Sequence, residues 1–335
     1  MFVSNNVAYS YRAYGFGIHS TINIPGLLPA DIRVGDYSLH LEGGSEPEWA
    51  QLALRAQGRV ISHLPAGQRT ADPSFILTEH GQGSCHELSY SDGTRFVVNG
   101  AADRVWGTYE APLTNEDLAT YLLGPVMGFL LRRKQITSLH ASAVELQGRA
   151  VLFCGDAGYG KSTTAAALAL RGAPGVSEDI APLELTKGQF WALPGYPRVC
   201  LWPDAVAHLT GRVDGLPRLT PVWEKRYLAL DGGRAGFVKQ KIPLGLVYVL
   251  GERTAAAHAP YVEELRPKDS LLELVKNTYM NWLLDREQRA EEFNVLGNLV
   301  QQVAVRRLVP HSDPEKIGQL CELIERDAGK MLMTR

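Results

Sequence analysis

The residues with the clearest chemistry lie in one octet. Positions 155 to 162 read Gly-Asp-Ala-Gly-Tyr-Gly-Lys-Ser, the G-x-x-x-x-G-K-[ST] spacing of a loop that holds phosphates. Glycines let the backbone turn tightly, so that successive N–H groups converge on an anion. A helix beginning where the loop ends adds its dipole to the same spot. Gly155, Asp156, Ala157, Gly158, Tyr159, Gly160, Lys161, Ser162 and Thr163 are therefore expected to line a nucleoside triphosphate. Lys161 would reach the β- and γ-phosphates, and the Ser162 hydroxyl would serve Mg²⁺.

An acidic pair, Glu178-Asp179, follows after a short apolar stretch beginning at Gly175-Val176. Phosphoryl transfer needs a carboxylate on Mg²⁺ and often a second one that orients or deprotonates the acceptor hydroxyl. Adjacent residues at a strand end point to opposite sides, so the two acids are expected to divide these tasks. His140 lies upstream of the loop in Leu139-His140-Ala141-Ser142. Among such small apolar neighbours it reads, from the residues alone, as a satisfied core or edge histidine.

These side chains need a scaffold, and the flanking pattern supplies one. Ala150 to Cys154 is a continuous apolar strand before the loop, and an Ala-rich helix runs from Lys161 to Arg171 after it. Gly172 stops that helix, and Val176 leads a second strand into the acidic pair. Strand, loop, helix, strand is the pattern of an α/β sheet, in which the carboxyl end of a neighbouring strand lies beside the loop. Further strands are expected at Arg198 to Trp202 and Ile242 to Leu250. The C-terminal part reads as helical. Asp269 should cap a helix carrying Leu271, Leu274, Tyr279 and Trp282. Arg286 to Gln302 forms another, with Phe293, Leu296 and Leu299 on one face, and Asp313-Pro314 opens the last.

Residues 1–113 read instead as short strands and turns, with Asp92-Gly93 as a hairpin signal. No catalytic constellation appears there, and His40, His63, His80 and His86 read as structural or solvated. Thr114-Asn115-Glu116-Asp117 opens a helix in capping-box style, Pro125 should kink it, and Arg132-Arg133-Lys134 suits its C-terminus. The expected organisation is a β-rich N-terminal domain over 1–113, a connecting helix over 114–137, and a phosphate-loop α/β domain with a helical C-terminal portion over 138–335.

Composition agrees with this class. The chain has 335 residues, 45% apolar and 21% charged, long enough for about two domains. Its 34 basic and 36 acidic residues leave a net charge of −2, so there is no chain-wide basic footprint for nucleic acid. Cys85, Cys154, Cys200 and Cys321 are far apart and form no C-x-x-C pair, which argues against a zinc ribbon or a disulfide scaffold. The opening MFVSNNVAYSYRAYG lacks a basic stretch followed by an apolar one and does not read as a signal peptide. The longest apolar run, Leu118 to Leu131, is too short to span a bilayer. A soluble, cytoplasmic protein with no membrane partner is the natural expectation; the oligomeric state stays open.

The stretch LHASAVELQGRAVLFCGDAGYGKSTTAAALALRGAPGVSEDIAPLE resembles the catalytic core of HPr kinase/phosphorylase. That family has a histidine before a strand, the phosphate loop, a helix ending in Arg-Gly, and a strand ending in two acids. Here His140, residues 155 to 162, Arg171-Gly172 and Glu178-Asp179 match. Outside these roughly 45 residues, YRAYGFGIHSTINIPGLLPA, DLATYLLGPVMGFLL, GYPRVCLWPD and PLGLVYVLGER resemble the HPr-kinase-related proteins. That subgroup includes kinases acting on a serine, often the C-terminal one, of lasso-peptide precursors. The resemblance implies an ATP- and Mg²⁺-dependent seryl phosphotransferase acting on a peptide or protein. By family position it makes Glu178 the base and places Asp179 with Ser162 nearer the metal. His140 then lies close to the transferring group, Lys161 is catalytic, and Lys225-Arg226 lies near the nucleotide or acceptor. Two departures stand out. The family usually has Asp-Asp where this chain has Glu178-Asp179, and the later Glu-, Arg- and Gly-rich signature tied to phosphorylase activity is not found.

Two other readings fit the same residues: a small-molecule kinase with the same core, and a nucleotide-binding regulatory module. The loop reads phosphates and says nothing of the acceptor.

Overall fold

The computed structural model describes residues 8–64, 74–232 and 236–333. The first part of the N-terminal stretch compared above with a signal peptide, Met1 to Val7, lies outside the described residues. The chain is mixed α/β and forms two compact units, Met1–Lys134 with Arg218–Glu224, and Gln135–Pro217 with Lys225–Arg335.

The first unit holds strands β1 (Tyr9–Ala13), β2 (Phe16–Ser20), β3 (Tyr37–Gly43), β4 (Gly58–Leu64), β5 (Phe75–His80), β6 (Cys85–Tyr90), β7 (Arg95–Asn99) and β8 (Arg104–Thr108). They make one sheet in the order β1-β2-β3-β8-β7-β6-β5-β4. The β1–β2 hairpin closes through Tyr14 and Gly15, both at positive φ (57° and 83°), as the tightest hairpin turn requires. At the β6–β7 turn, Gly93 has φ 94° and the Asp92 side chain accepts from the Thr94 N–H at 2.9 Å. A short helix, α1 (Glu48–Leu54), buries Ala50 in a cluster with Cys85, Val97 and Trp106.

The segment read above as a connector belongs to this unit. Helix α2 (Asn115–Tyr121) starts at a Thr114–Asp117 capping box, and α3 (Met127–Arg133) follows. Between them Leu122–Val126 forms a wide turn in which Gly124 leaves helical geometry, because Pro125 cannot donate to the helix. Leu118, Leu122, Val126 and Leu130 are all buried, and Tyr14 donates to the Leu123 carbonyl at 3.0 Å. So apolar a face finds its partners in the sheet domain and does not serve as a free joint. Arg218–Glu224 also belongs here, with Trp223 edge-on to Tyr121 at 5.7 Å.

The second unit is organised around β9 (Ser138–Leu146) and β10 (Arg149–Cys154), a hairpin through Gln147-Gly148. Helix α4 (Lys161–Leu170), β11 (Gly175–Ser177), β12 (Ile180–Thr186), β13 (Gln189–Ala192) and β14 (Arg198–Leu201) follow. Next come α5 (Pro203–Thr210), β15 (Arg226–Ala229), β16 (Ile242–Leu250) and β17 (Tyr261–Glu264). The chain ends with α6 (Pro267–Lys276), α7 (Arg286–Gln302), β18 (Ala304–Val309) and α8 (Ile317–Met333). The main sheet runs β10-β9-β12-β13-β16-β18-β17, and β10 pairs back onto β16. β10, β16 and β18 are parallel neighbours.

β10 is buried on both faces, which explains its unbroken apolar run. Ala150, Leu152 and Cys154 pack in one cluster with Leu274 of α6 and Leu296 and Leu299 of α7. Val151 and Phe153 pack in another with Leu168 of α4 and Leu320 and Ile324 of α8. Helix α4 is itself sandwiched, since Ala166 and Ala169 face Val199, Leu201 and Leu228 of the β14–β15 pair. Its alanines allow close approach on two sides.

Three details differ from expectation. α6 begins at Pro267 with Arg266 as its cap, so Asp269 lies inside its first turn and is not the cap, and the helix ends at Lys276 before Tyr279 and Trp282. Phe293 of α7 is exposed, whereas Leu296 and Leu299 are buried. β11 does not pair with β10 but with β9, which lies between them. Both pairings are antiparallel, so β11 still runs parallel to β10 and brings residue 178 to the loop's end of the sheet. Among the described residues no helix is long and apolar enough to cross a membrane.

Gly155, where β10 passes into the loop, has φ 136°, and a Cβ there would sit 3.0 Å from the Leu250 carbonyl oxygen of β16. Gly155→Ala is expected to cost about 1–3 kcal/mol, because both the backbone angle and the close approach oppose a side chain. Urea melts check this, and an unchanged midpoint would show that the β10–β16 approach is loose.

Candidate active site

The loop between β10 and α4 turns on Gly155, Gly158 and Gly160, all at positive φ. The first i→i−4 bond into α4 is Thr164 N–H to Gly160 O at 2.8 Å, which leaves the N–H groups of Lys161, Ser162 and Thr163 without an intrahelical acceptor. Lys161 does not project outward. Its ammonium is buried and donates to the carbonyls of Gly155 (2.7 Å) and Asp156 (3.3 Å), spanning the mouth of the loop. Burial lowers its pKa, against the pull of Asp179, Cys154, Glu178 and Asp156. Both acceptors are neutral carbonyls, weaker partners for an ammonium than a phosphate oxygen would be.

Glu178 lies directly against the loop. It is 3% exposed, and its Oε1 accepts from the Ser162 hydroxyl at 2.7 Å. Its Oε2 is buried with no hydrogen-bond partner. Burial pushes its pKa up to about 7, although the Ser162 and Ser142 hydroxyls beside it pull the other way. An unpartnered buried carboxylate oxygen is costly unless it holds a proton or meets a cation. This oxygen and the Ser162 hydroxyl are hard donors suited to Mg²⁺, which takes few protein ligands and keeps waters.

Asp179 faces elsewhere. β11 ends at Ser177, and Asp179 adopts φ 62° in a tight turn closed by Ile180 N–H to Glu178 O at 2.7 Å. Its Oδ1 lies 3.1 Å from His140 Nε2, and the His140 ring meets Tyr279 edge-on at 5.8 Å. Asp179 is half exposed, so the desolvation that would raise its pKa loses to His140, then Lys225 and Lys161, which hold it down at about 2. Lys225 lies over the Trp202 ring at 5.0 Å and its charge acts on both acids, whereas Arg226 donates to the Leu216 carbonyl at 2.7 Å.

All the expected residues of the acid pair and loop therefore meet in one place, but in different pairings. Ser162 partners Glu178, not Asp179, and His140 partners Asp179. The left-handed backbone at Asp179 is the reason, because it breaks the strand alternation on which the division of roles was based.

Two residues at the site carry no motif. Asn277, just past the end of α6, accepts from the Gly155 N–H through Oδ1 at 2.7 Å. Its carbonyl accepts from the His140 N–H at 2.7 Å, and its Nδ2 donates to the Glu273 carbonyl at 2.8 Å. Arg253, beyond the end of β16, lies over Gly160; a Cβ on that glycine would come within 2.8 Å of its Nη2. Only the fold brings positions so distant in sequence to the loop.

No family model matches the chain, and no curated protein matches it by sequence. Among solved structures, the HPr(Ser) kinase/phosphatase from Coxiella burnetii is similar to it at 15% identity and a TM-score of 0.31. That match covers 58% of this chain and 97% of the other. The chemistry is accordingly read from the site's own geometry.

Glu178 gives the site a pH signature. Its ordinary pKa is 4.5, and in the fold it is held near 7. Between these values the folded chain keeps a proton that the unfolded chain has lost. Its stabilisation is therefore complete below pH 4.5 and falls away as pH rises through about 7, with a slope of up to about 1.4 kcal/mol per pH unit. Glu178→Gln removes that slope. Urea melts from pH 4.5 to 8 should show the variant gaining on the wild type up to about pH 7 and running parallel above it. Parallel curves across the whole range would mean that Glu178 is not held protonated.

Proposed function

We propose that the chain is an ATP- and Mg²⁺-dependent phosphotransferase acting on a serine hydroxyl of a peptide or protein. The observation that carries this reading is the Ser162–Glu178 pair at the mouth of the glycine loop, with one buried carboxylate oxygen left without a donor. The N–H groups at the start of α4 and the Lys161 ammonium receive the phosphates. Ser162 and Glu178 hold Mg²⁺, which when bound neutralises charge on the β- and γ-phosphate oxygens.

The acceptor side belongs to Asp179. It is half exposed, ionised, and oriented by His140. In a loose phosphoryl-transfer transition state the nucleophile needs orientation more than a strong base, so a carboxylate of low pKa suffices. The acceptor oxygen bonds to the γ-phosphorus as the β–γ bridge bond breaks. ADP leaves, and the hydroxyl proton passes to the Asp179–His140 pair. A serine near the end of a peptide, as in a lasso-peptide precursor, is the preferred acceptor; this rests on the sequence resemblance alone.

The test is direct. Incubation with Mg²⁺-ATP and a panel of peptides carrying terminal or internal serines should yield a phosphopeptide by mass. Phosphate appearing only in a sugar or nucleoside panel would point to the small-molecule kinase. Slow ATP hydrolysis indifferent to every acceptor would point to the regulatory module.

Variants assign the roles. Lys161→Ala should keep its fold and lose transfer, since the ammonium's partners are loop carbonyls and not core atoms. Glu178→Gln should weaken Mg²⁺-dependent nucleotide binding. Asp179→Asn should bind Mg²⁺-ATP normally and slow single-turnover transfer by roughly 10²–10⁴-fold. The opposite pattern in the two acid variants would return Glu178 to the role of base.

A further inference from the structure

We propose that the groove between the end of α6 and α7 binds a free α-amino acid with a large apolar side chain, and that its occupancy is transmitted to the glycine loop. The binding half stands apart from the kinase reading. The transmission half rests on the phosphate-loop reading.

The groove lies within the second unit and holds a cavity of about 400 Å³, within the range of small-molecule sites. One face of α7 supplies a wall, since Arg289, Glu292, Phe293 and Leu296 follow the i, i+3, i+4, i+7 spacing. Val275 of α6 and Leu284 join the buried Leu296 as apolar lining, together with the Trp282 indole. Phe293 is 48% exposed although it belongs to the apolar stripe of its helix. An apolar hollow edged by aromatic rings, with a few polar groups to fix orientation, is the usual build of a ligand pocket.

Charge chooses the ligand. Arg289 is exposed, and its Nε donates to the Leu284 carbonyl at 3.0 Å, which fixes the guanidinium. That guanidinium meets no carboxylate among the described residues. Glu292 lies one turn further along α7 and is buried. Residues at this spacing have Cβ atoms about 5–6 Å apart. A carboxylate on Arg289 and an ammonium on Glu292 are then close enough to be carried by one α-carbon, whose side chain continues into the apolar lining. A simple apolar acid would use only Arg289, and an apolar amine only Glu292. Either end of a peptide likewise offers one charge and not both.

The cavity shares a segment of chain with the catalytic edge. Thr278 and Asn281 line the cavity. Their neighbour Asn277 holds the Gly155 and His140 N–H groups, each at 2.7 Å, and Tyr279 meets the His140 ring edge-on. Thr278 itself bridges to Leu139, beside His140. Met280 then turns the chain at φ 49°, and the single turn Asn281–Leu283 leads to α7. A ligand that favours one setting of this segment must change nucleotide affinity at the loop, and nucleotide must change the ligand's affinity by the same factor.

Calorimetric titration of the full chain with L-leucine, L-methionine, L-phenylalanine and L-tryptophan tests the site. At least one should bind with a Kd of about 1 mM or tighter, and glycine should not. For the best binder, the amide that lacks the carboxylate and the N-acetyl derivative that lacks the ammonium should each bind about tenfold or more weakly. Arg289→Gln should keep the wild-type urea midpoint and weaken binding by a similar factor. Failure of all four amino acids to bind would overturn the proposal, as would a folded Arg289→Gln variant that binds like the wild type. A singly charged derivative that binds as tightly as the amino acid would also overturn it, in favour of a peptide end. For the transmission half, saturating amino acid should tighten Mg²⁺-ATP binding by about threefold or more, and an unchanged Kd refutes it. If Mg²⁺-ATP binds under neither condition, the phosphate-loop reading has failed, whereas the amino-acid titration still decides the groove.

Discussion

Everything at the site is referred to one buried amide. Asn277 joins three segments that have no local reason to stay together: the first glycine of the loop, the start of β9 at His140, and the last turn of α6. The bond to the buried Gly155 N–H satisfies a donor that would otherwise be stranded away from water, at about 1–3 kcal/mol. The residue thus ties the loop carrying Ser162, through its side chain, and the strand carrying His140, through its main-chain carbonyl, to one frame. The Glu178 and Asp179 contacts are measured within that frame.

Within the frame, two neighbouring acids have opposite electrostatic fates. Glu178 is sealed from water with one hydroxyl as donor, and its proton is held to about pH 7. Asp179 remains half in water with an imidazole and two ammonium groups around it, and is ionised at any ordinary pH. Chemical identity does not separate them, because both are carboxylates one residue apart. Access to water and the company of cations do. Pairs of acids whose environments diverge in this way are suited to different steps of one reaction.

Much of the fold was legible because its signals are local. Ile242–Leu250 and Arg286–Gln302 begin and end where their apolar pattern and caps said they would, and the Thr114 capping box forms as written. The loop, Glu178-Asp179 and His140 also converge. What could not be read depended on side chains meeting across the chain. The pairing of Ser162 with Glu178 follows from a left-handed residue in a three-residue turn, and Asp carries no unique mark of that conformation. The helix over 115–133 looked like a joint because its amphipathic pattern does not say which domain supplies the partner. Asn277 and Arg253 are ordinary residues in ordinary stretches, made special by distant neighbours.

The segment Arg218–Glu224 has a topological consequence. It belongs to the first unit although the chain on both sides of it belongs to the second, and its Trp223 closes on Tyr121. Neither unit is a single uninterrupted stretch, so no one cleavage of the polypeptide releases both intact. A protein synthesised from its N-terminus has completed β1 through α3, and then β9 through α5, before the last piece of the first unit is made. Completion of the first unit must therefore wait for about two-thirds of the polypeptide to emerge, which couples the maturation of the β-rich unit to that of the unit bearing the loop.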